Sequence, residues 1–371
     1  MPVPLLDLRA QHAIIKDEVA TAITRLVDDQ LFILGEPVER LERDVAALSN
    51  ARFAIGCASG TDALLLAFRA LDIGRGDEVV TTPFTFFATA GTIHNVGATP
   101  VFADIVPDTF SLDVAAAAAA VTSRTKAVVP VDLFGQMAPI EAYTAAMPGM
   151  PMIEDAAQTI GARRQIDGAW TVAGERATIG TLSFFPSKNL GGYGDGGMML
   201  TQDEALATRL KRLRVHGGAK QYFHDEVGYN SRLDALQAAI LVAKLPHLAS
   251  WSEKRRQHAR YYDAAFADVP EIRTPTIDPL NESIYNQYTI RADRRDRLQA
   301  HLKEQEIGSA VYYPLPLHLQ PCFSYLGYKV GSMPESERAA SEVLSLPVYP
   351  ELTRSMQDEV IGAVRGFYGH R

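Results

Sequence analysis

Short apolar runs that alternate with helix-forming segments constrain this chain more than any other feature. Phe53-Ala-Ile-Gly-Cys57, Glu78-Val-Val-Thr-Thr82, Thr99-Pro-Val-Phe-Ala-Asp-Ile105, Lys126-Ala-Val-Val-Pro-Val-Asp-Leu133 and Pro151-Met-Ile-Glu-Asp155 are each bounded by turn residues and separated by Ala- and Leu-rich stretches. At their centres these segments are apolar runs rather than alternating ones, so burial of both strand faces is expected. Strand–helix alternation of this kind predicts an α/β fold with a mostly parallel sheet covered on both sides. Ligands of such sheets bind beyond the carboxyl ends of the strands. Ser59-Gly60-Thr61, Phe86, Asp155 and Lys188 all fall at or just past predicted strand ends, so the fold is expected to bring them together.

The remainder of the chain sets the boundaries. At 371 residues it exceeds one ordinary core, and two domains are expected. Residues 1–247 read as a large domain that begins with helices over Asp7–Leu31 and Val38–Ala47. Residues 248–371 read as a small α+β domain: a long basic helix over Leu248–Phe266, strands at Tyr285–Arg291 and Ser309–Tyr313, and helices over Arg294–Gln305, over Pro334–Leu344 and from Leu352 onward. A net charge of −8 argues against a nucleic-acid binder. The opening Met1-Pro-Val-Pro-Leu-Leu-Asp7 lacks a basic segment and a long apolar core, and no apolar run reaches membrane-spanning length, so a cytoplasmic protein is expected. Two cysteines, Cys57 and Cys322, fit a reducing compartment and form neither a disulfide framework nor a zinc pattern. The nine histidines are scattered, and no metal site is expected.

The unusual chemistry is concentrated in Ser183-Phe-Phe-Pro-Ser-Lys-Asn-Leu-Gly-Gly-Tyr-Gly-Asp-Gly-Gly197. Lys188 lies between a Pro-Ser turn and five glycines, which mark positive φ or close backbone approach. A lysine there is compatible with a point charge on a phosphate, a Schiff-base nucleophile or a solvated loop residue. Ser59, Gly60 and Thr61 open a helix, where free N–H groups favour an anion, although Ser and Thr also serve there as plain caps. Asp155 closes an apolar strand, so its carboxylate needs a cationic partner unless it only caps a turn. Phe86 supplies a flat face for stacking or packs in a core. Gln158 and Ser183 add hydrogen-bonding groups. Lysine, acidic residue and phosphate cradle together match the needs of pyridoxal phosphate, whose aldehyde takes a lysine and whose ring nitrogen takes an acid.

Five segments in this chain order resemble the DegT/DnrJ/EryC1/StrS family of pyridoxal-phosphate sugar aminotransferases: Cys57-Ala-Ser-Gly-Thr-Asp-Ala-Leu64, Thr82-Pro-Phe-Thr-Phe-Phe-Ala-Thr89, Ile153-Glu-Asp-Ala-Ala-Gln158, Ser183–Lys188 with Gly194-Asp-Gly-Gly197, and Gly228-Tyr-Asn-Ser-Arg-Leu-Asp234. The resemblance covers nearly the whole chain. It implies an aspartate-aminotransferase-like (type I) fold and a homodimer with shared active sites. Carried over by position, it makes Lys188 the Schiff-base lysine and Asp155 the partner of the ring nitrogen. Phe86 becomes the stacking residue, Gly60, Thr61 and Ser183 fall on phosphate-binding positions beside Ser59 at the helix start, and Gln158 on the position facing the ring hydroxyl. Asn230 matches an asparagine that reaches the phosphate from the neighbouring subunit. Tyr193, His216, Tyr313 and His318 are candidate substrate contacts.

Within the family the chain looks closest to enzymes that aminate the 3-keto position of UDP-2-acetamido hexuronic acids, with L-glutamate as donor and surface-polysaccharide or related amino-sugar synthesis as the setting. A C4-keto or dTDP-keto-deoxysugar is the alternative acceptor. Two other classes compete: a non-catalytic sensor on the same scaffold, and a dinucleotide dehydrogenase, against which the absence of GxGxxG after the first strand weighs.

Overall fold

The computed structural model describes residues 2–220 and 222–370. Helices α1 (Leu8–Asp29) and α2 (Glu36–Leu48) open the chain. The Asp7 side chain caps α1 by accepting from the N–H groups of Arg9 and Ala10. There follow strand β1 (Phe53–Cys57), α3 (Gly60–Ala70), β2 (Glu78–Thr81), α4 (Phe87–Asn95), β3 (Thr99–Phe102), α5 (Val114–Ala119), β4 (Thr125–Val129), α6 (Ile140–Ala146) and β5 (Ile153–Asp155). A hairpin, β6 (Arg163–Ile166) and β7 (Ala169–Val172), precedes β8 (Ile179–Ser183), β9 (Gly197–Thr201), α7 (Glu204–Leu213) and α8 (Ala235–Lys244).

Parallel pairing of β3, β2 and β4 makes one half of the central sheet, and β5, β8, β9 and β1 make the other. Parallel bridges Val128–Met152 and Val131–Asp155 join the halves between β4 and β5. Only β9 runs against its neighbours β8 and β1. Strands β2 and β9 are buried at every position, as expected when helices cover both faces of a sheet; the polar ends of β2 are paired, the Thr81 hydroxyl donating to the Val129 carbonyl and Glu78 accepting from Arg124. The expected α/β class with a mostly parallel sheet is the observed one. No helix is long and apolar enough to cross a membrane among the described residues.

The long helix α9 (Leu248–Phe266) links two cores. Leu248 and Trp251 near its start pack with the large-sheet helices, while Ala259, Tyr262 and Phe266 enter a second core. That second core holds the antiparallel sheet of β10 (Ile272–Arg273), β12 (Tyr288–Ala292) and β13 (Val343–Leu346), backed by α10 (Arg295–Glu304) and α12 (Arg354–Tyr368). Val3 from the N-terminus packs into it as well. Strand β11 (Asn281–Glu282) lies between β10 and β12 in the chain but pairs with β6 of the larger lobe.

Two sequence expectations change here. Ser309–Tyr313 is not a strand. It makes one bridge, Ala310 to Ser345, and then runs to the interlobe cavity through a cis peptide at Tyr312–Tyr313. The strand of the small sheet is β13, taken from the end of the segment read as a helix over Pro334–Leu344; α11 (Pro334–Glu342) stops two residues earlier. All four β13 residues are buried beside β12, and a Val-Leu pair at the core gains more from strand pairing and burial than from one further half-turn of helix.

Candidate active site

The segments that follow β1, β2, β4, β5 and β8 and the stretch 312–320 of the smaller lobe converge on a cavity of about 650 Å3 between the lobes. From β1 the chain turns through Ser59 into α3, and the Ser59 hydroxyl caps that helix by accepting from the Asp62 N–H at 3.1 Å. The N–H groups of Gly60 and Thr61, in the first helical turn, have no helical acceptor and lie on the cavity wall. Both readings of this segment therefore hold together: the serine side chain caps, and the backbone remains able to receive an anion.

Ser183, at the end of β8, closes the cradle so tightly that a Cβ on Gly60 would sit 2.6 Å from the Ser183 Cβ. A Cβ on Gly197 would sit 2.3 Å from the Ser59 carbonyl oxygen. Among the five glycines around Lys188, none has positive φ; at Gly197 close approach is the reason for glycine. Gly197→Ala is expected to push the Ser59-Gly60 turn out of place and to weaken cofactor binding roughly ten- to a hundredfold, the range that overpacking costs imply. A spectroscopic titration with pyridoxal phosphate checks this, and unchanged affinity would remove the cradle from the binding role.

Asp155 is 6% exposed at the end of β5. Its Oδ2 accepts from the Thr89 hydroxyl at 2.8 Å, and Thr89 in turn contacts the Thr85 hydroxyl at 3.1 Å. Its Oδ1 accepts from the Ala157 N–H at 3.3 Å. Burial pushes the Asp155 pKa up, opposed by the Thr89 hydrogen bond and by Lys188. The same burial pushes the Lys188 amine down to about 8, with Asp155 pulling the other way. A carboxylate and an amine thus face one cavity, each desolvated and neither fully neutralised by the other. That arrangement leaves the acid able to take a cationic ring nitrogen and the amine able to attack an aldehyde.

The remaining walls suit a flat ring. Phe86, at the start of α4, is 58% exposed, with its ring 6.3 Å from that of Tyr313. Gln158 accepts from the Phe134 N–H through Oε1 at 2.7 Å and partners the hydroxyl of half-buried Tyr313. An amine, a buried carboxylate, an exposed aromatic face and a tight N–H cradle in one cavity fit pyridoxal phosphate.

Of the predicted site residues, Ser59, Gly60, Thr61, Phe86, Asp155, Gln158, Ser183, Lys188 and Tyr313 line this cavity. Four do not. Asn230 is exposed on the loop before α8, where it bridges to Val215. His216 is also exposed and lines a separate surface groove with Lys220, His224 and Arg232. The Tyr193 hydroxyl meets Nδ1 of His12 at 2.6 Å, against α1. His318 is buried, with Nε2 at 3.0 Å from Glu337 Oε1.

Sequence reasoning missed Thr89, one helical turn beyond Phe86 and bonded to Asp155. It also missed Asp132, a buried carboxylate on the wall that accepts from the Ala138 N–H and the Thr159 hydroxyl. Asp132 and Glu154 share a buried contact in which desolvation raises both pKa values, that of Asp132 to about 6. The spacing Phe86-x-x-Thr89 could have flagged Thr89, and Asp132, at the end of the apolar run 126–133, carries the same local signal as Asp155.

Residues 13–365 match the model of the DegT/DnrJ/EryC1/StrS aminotransferase family. The chain is 50% identical to a protein of Geobacillus stearothermophilus described as a pleiotropic regulatory protein, over all of both chains. It is 44% identical to the UDP-N-acetyl-3-dehydro-alpha-D-glucosamine 3-aminotransferase of Acidithiobacillus ferrooxidans, over 98% of this chain and 97% of that one. It is 43% identical to the UDP-2-acetamido-2-deoxy-3-oxo-D-glucuronate aminotransferase of Pseudomonas aeruginosa, over 94% and 96%. The crystal structure of DesV of S. venezuelae in complex with a ketimine intermediate superposes with a TM-score of 0.96 at 39% identity, covering 100% of this chain and 99% of that one. NtdA of Bacillus subtilis with bound cofactor PMP superposes at 0.87 and 29% identity, covering 98% and 82%.

Proposed function

Because the chain belongs to the DegT/DnrJ/EryC1/StrS aminotransferase family, we propose that it uses pyridoxal phosphate to move an amino group from L-glutamate to the 3-keto group of a UDP-2-acetamido sugar. The observation that carries this reading is the convergence of Lys188 and Asp155 on one cavity with an N–H cradle beside them. The cofactor, when bound, supplies an aldehyde that exchanges amines and a ring that takes up the electron pair released at the substrate carbon.

This chain's residues supply the rest. Lys188 would hold the cofactor between turnovers and, when free, would carry the proton to and from the substrate carbon at Nζ, a role its depressed pKa favours near neutral pH. Asp155, anchored by Thr89, holds the ring nitrogen protonated. Phe86 covers one ring face, Gln158 orients the ring hydroxyl, and Ser59, Gly60, Thr61 and Ser183 receive the phosphate. Asn230, exposed and away from its own cavity, reaches the phosphate of a second copy in a homodimer. Exposed Leu31, Phe32 and Ile33 near the end of α1 give such a dimer apolar surface to bury. A solution mass of two chains is expected, and a monomer would sink this part of the reading.

The two relatives named for UDP-sugar 3-amination support a UDP-linked 3-keto acceptor. They differ in the sugar, one a glucosamine and one a glucuronate, and the hexuronate remains the first choice here, with C4-keto or dTDP-linked sugars as the alternative. The name of the Geobacillus relative keeps a regulatory reading in view, but a regulator has no need of a buried acid and an amine facing one cavity. Incubation with L-glutamate and each 3-keto UDP-2-acetamido sugar is expected to yield 2-oxoglutarate and the amino sugar with ping-pong kinetics. Absence of 2-oxoglutarate with every acceptor tried would reject the transfer.

A further inference from the structure

Two unlike substrates must use this cavity in turn, and its charges suit only part of that task. Among the described residues its wall carries one cation, Lys188, and three carboxylates, Asp132, Asp155 and Asp195. Lys188 is occupied by the chemistry, so within this chain's share of the cavity a dicarboxylic amino donor has no second cation for its negative charge. A smaller chamber of about 50 Å3 lies against the same wall and shares Ser187, Gln287 and Tyr312 with it.

The far side of this chamber is Arg255, from the middle of α9 and 3% exposed. Its Nη1 donates to the carbonyls of Tyr285, Asn286 and Val348 at 3.1, 3.3 and 2.8 Å. Its Nε has no hydrogen-bond partner, and neither does the buried Oε1 of Gln287 on the shared wall. Glu351 is the acid that acts on Arg255 electrostatically, yet both its carboxylate oxygens are also without hydrogen bonds. A guanidinium so buried, held only by carbonyls, keeps donors for an anion. The chamber has room for a few water molecules or one carboxylate and none for a sugar ring.

We propose that this chamber is the carboxylate subsite of the amino donor, in which Arg255 receives one carboxylate of a dicarboxylic 2-amino acid while the sugar nucleotide leaves it empty. The proposal rests on the transamination reading above. It separates charge recognition of the two substrates, which one shared surface cannot optimise for both.

The test follows the two half-reactions separately on purified, cofactor-loaded protein. L-glutamate discharges the visible cofactor band, and a 3-keto UDP sugar restores it. Arg255→Gln is expected to raise the half-saturating glutamate concentration roughly a hundredfold, as loss of a buried charge partner implies, while the sugar half-reaction stays within about threefold. Calorimetric binding of glutarate, an unreactive dicarboxylate, should be lost in parallel and partly recovered in Arg255→Lys. Val348→Met, which fills the chamber but leaves the backbone carbonyls that hold Arg255, should show the same donor-specific loss, and it decides the matter if Arg255→Gln does not fold. Equal losses in both half-reactions, or an unchanged glutamate dependence, would overturn the subsite. A wild-type band that no dicarboxylic amino acid discharges would instead overturn the proposed reaction itself.

Discussion

Lys188→Ala is expected to abolish the visible band of the lysine-bound cofactor and to lower turnover by at least about 10⁴-fold, because in the proposed reaction one residue is both covalent anchor and proton carrier. The structure explains why this lysine is competent. Burial at the cavity holds its pKa near 8 rather than the ordinary 10.5, so a substantial fraction is the neutral amine at physiological pH. Uptake of pyridoxal phosphate by the cofactor-free protein should therefore fall about tenfold per pH unit below 8 and level off above it. A solvated lysine would keep gaining up to its ordinary pKa. A mutant with an intact band and full rate, or wild-type uptake still climbing at pH 10, would remove Lys188 from the role.

Asp155→Asn is expected to cost between roughly thirtyfold and several thousandfold in rate, the range for removing one partner of a buried charge pair. In the proposed reaction the loss would come from the ring nitrogen, which would lose the acid that keeps it protonated. Asparagine is close in shape and can still accept from the Thr89 hydroxyl, so the cofactor should remain bound, although more weakly. In the cofactor-free protein the Asp155 pKa is raised by burial, and a cationic ring nitrogen would reverse that shift. Rates within twofold of wild type would exclude the assignment, and complete loss of fold would be visible as loss of the native thermal transition.

The α/β class was legible in the sequence because a strand buried on both faces reads as a short apolar run rather than an alternating one, and the runs at the centres of β2 (Val79-Val80) and β9 (Met198-Met199-Leu200) lie in strands buried at every position. The small lobe was read less well. Val343–Leu346 is apolar enough to end a helix or form a strand, and only the neighbouring β12 decides between them. The β6–β7 hairpin carried a local signal that was passed over: Asp167-Gly168, both with positive φ, is a turn pair that suits a two-residue hairpin loop.

For the site, residue type and chain order sufficed to nominate Lys188, Asp155, Phe86 and the Ser59-Gly60-Thr61 turn, since each stands at a strand end where α/β sheets bind ligands. Local sequence reports what a residue can do chemically and which element it begins or ends. Depth of burial, and hence the opposed pKa shifts of Lys188 and Asp155, came only from tertiary packing. So did the support of Asp155 by Thr89, the removal of His318 to a buried contact with Glu337, and the placement of Arg255 beside Ser187 across the two lobes. These depend on contacts between segments as many as 68 residues apart, and electrostatic energies in a desolvated site follow distance and burial rather than sequence spacing.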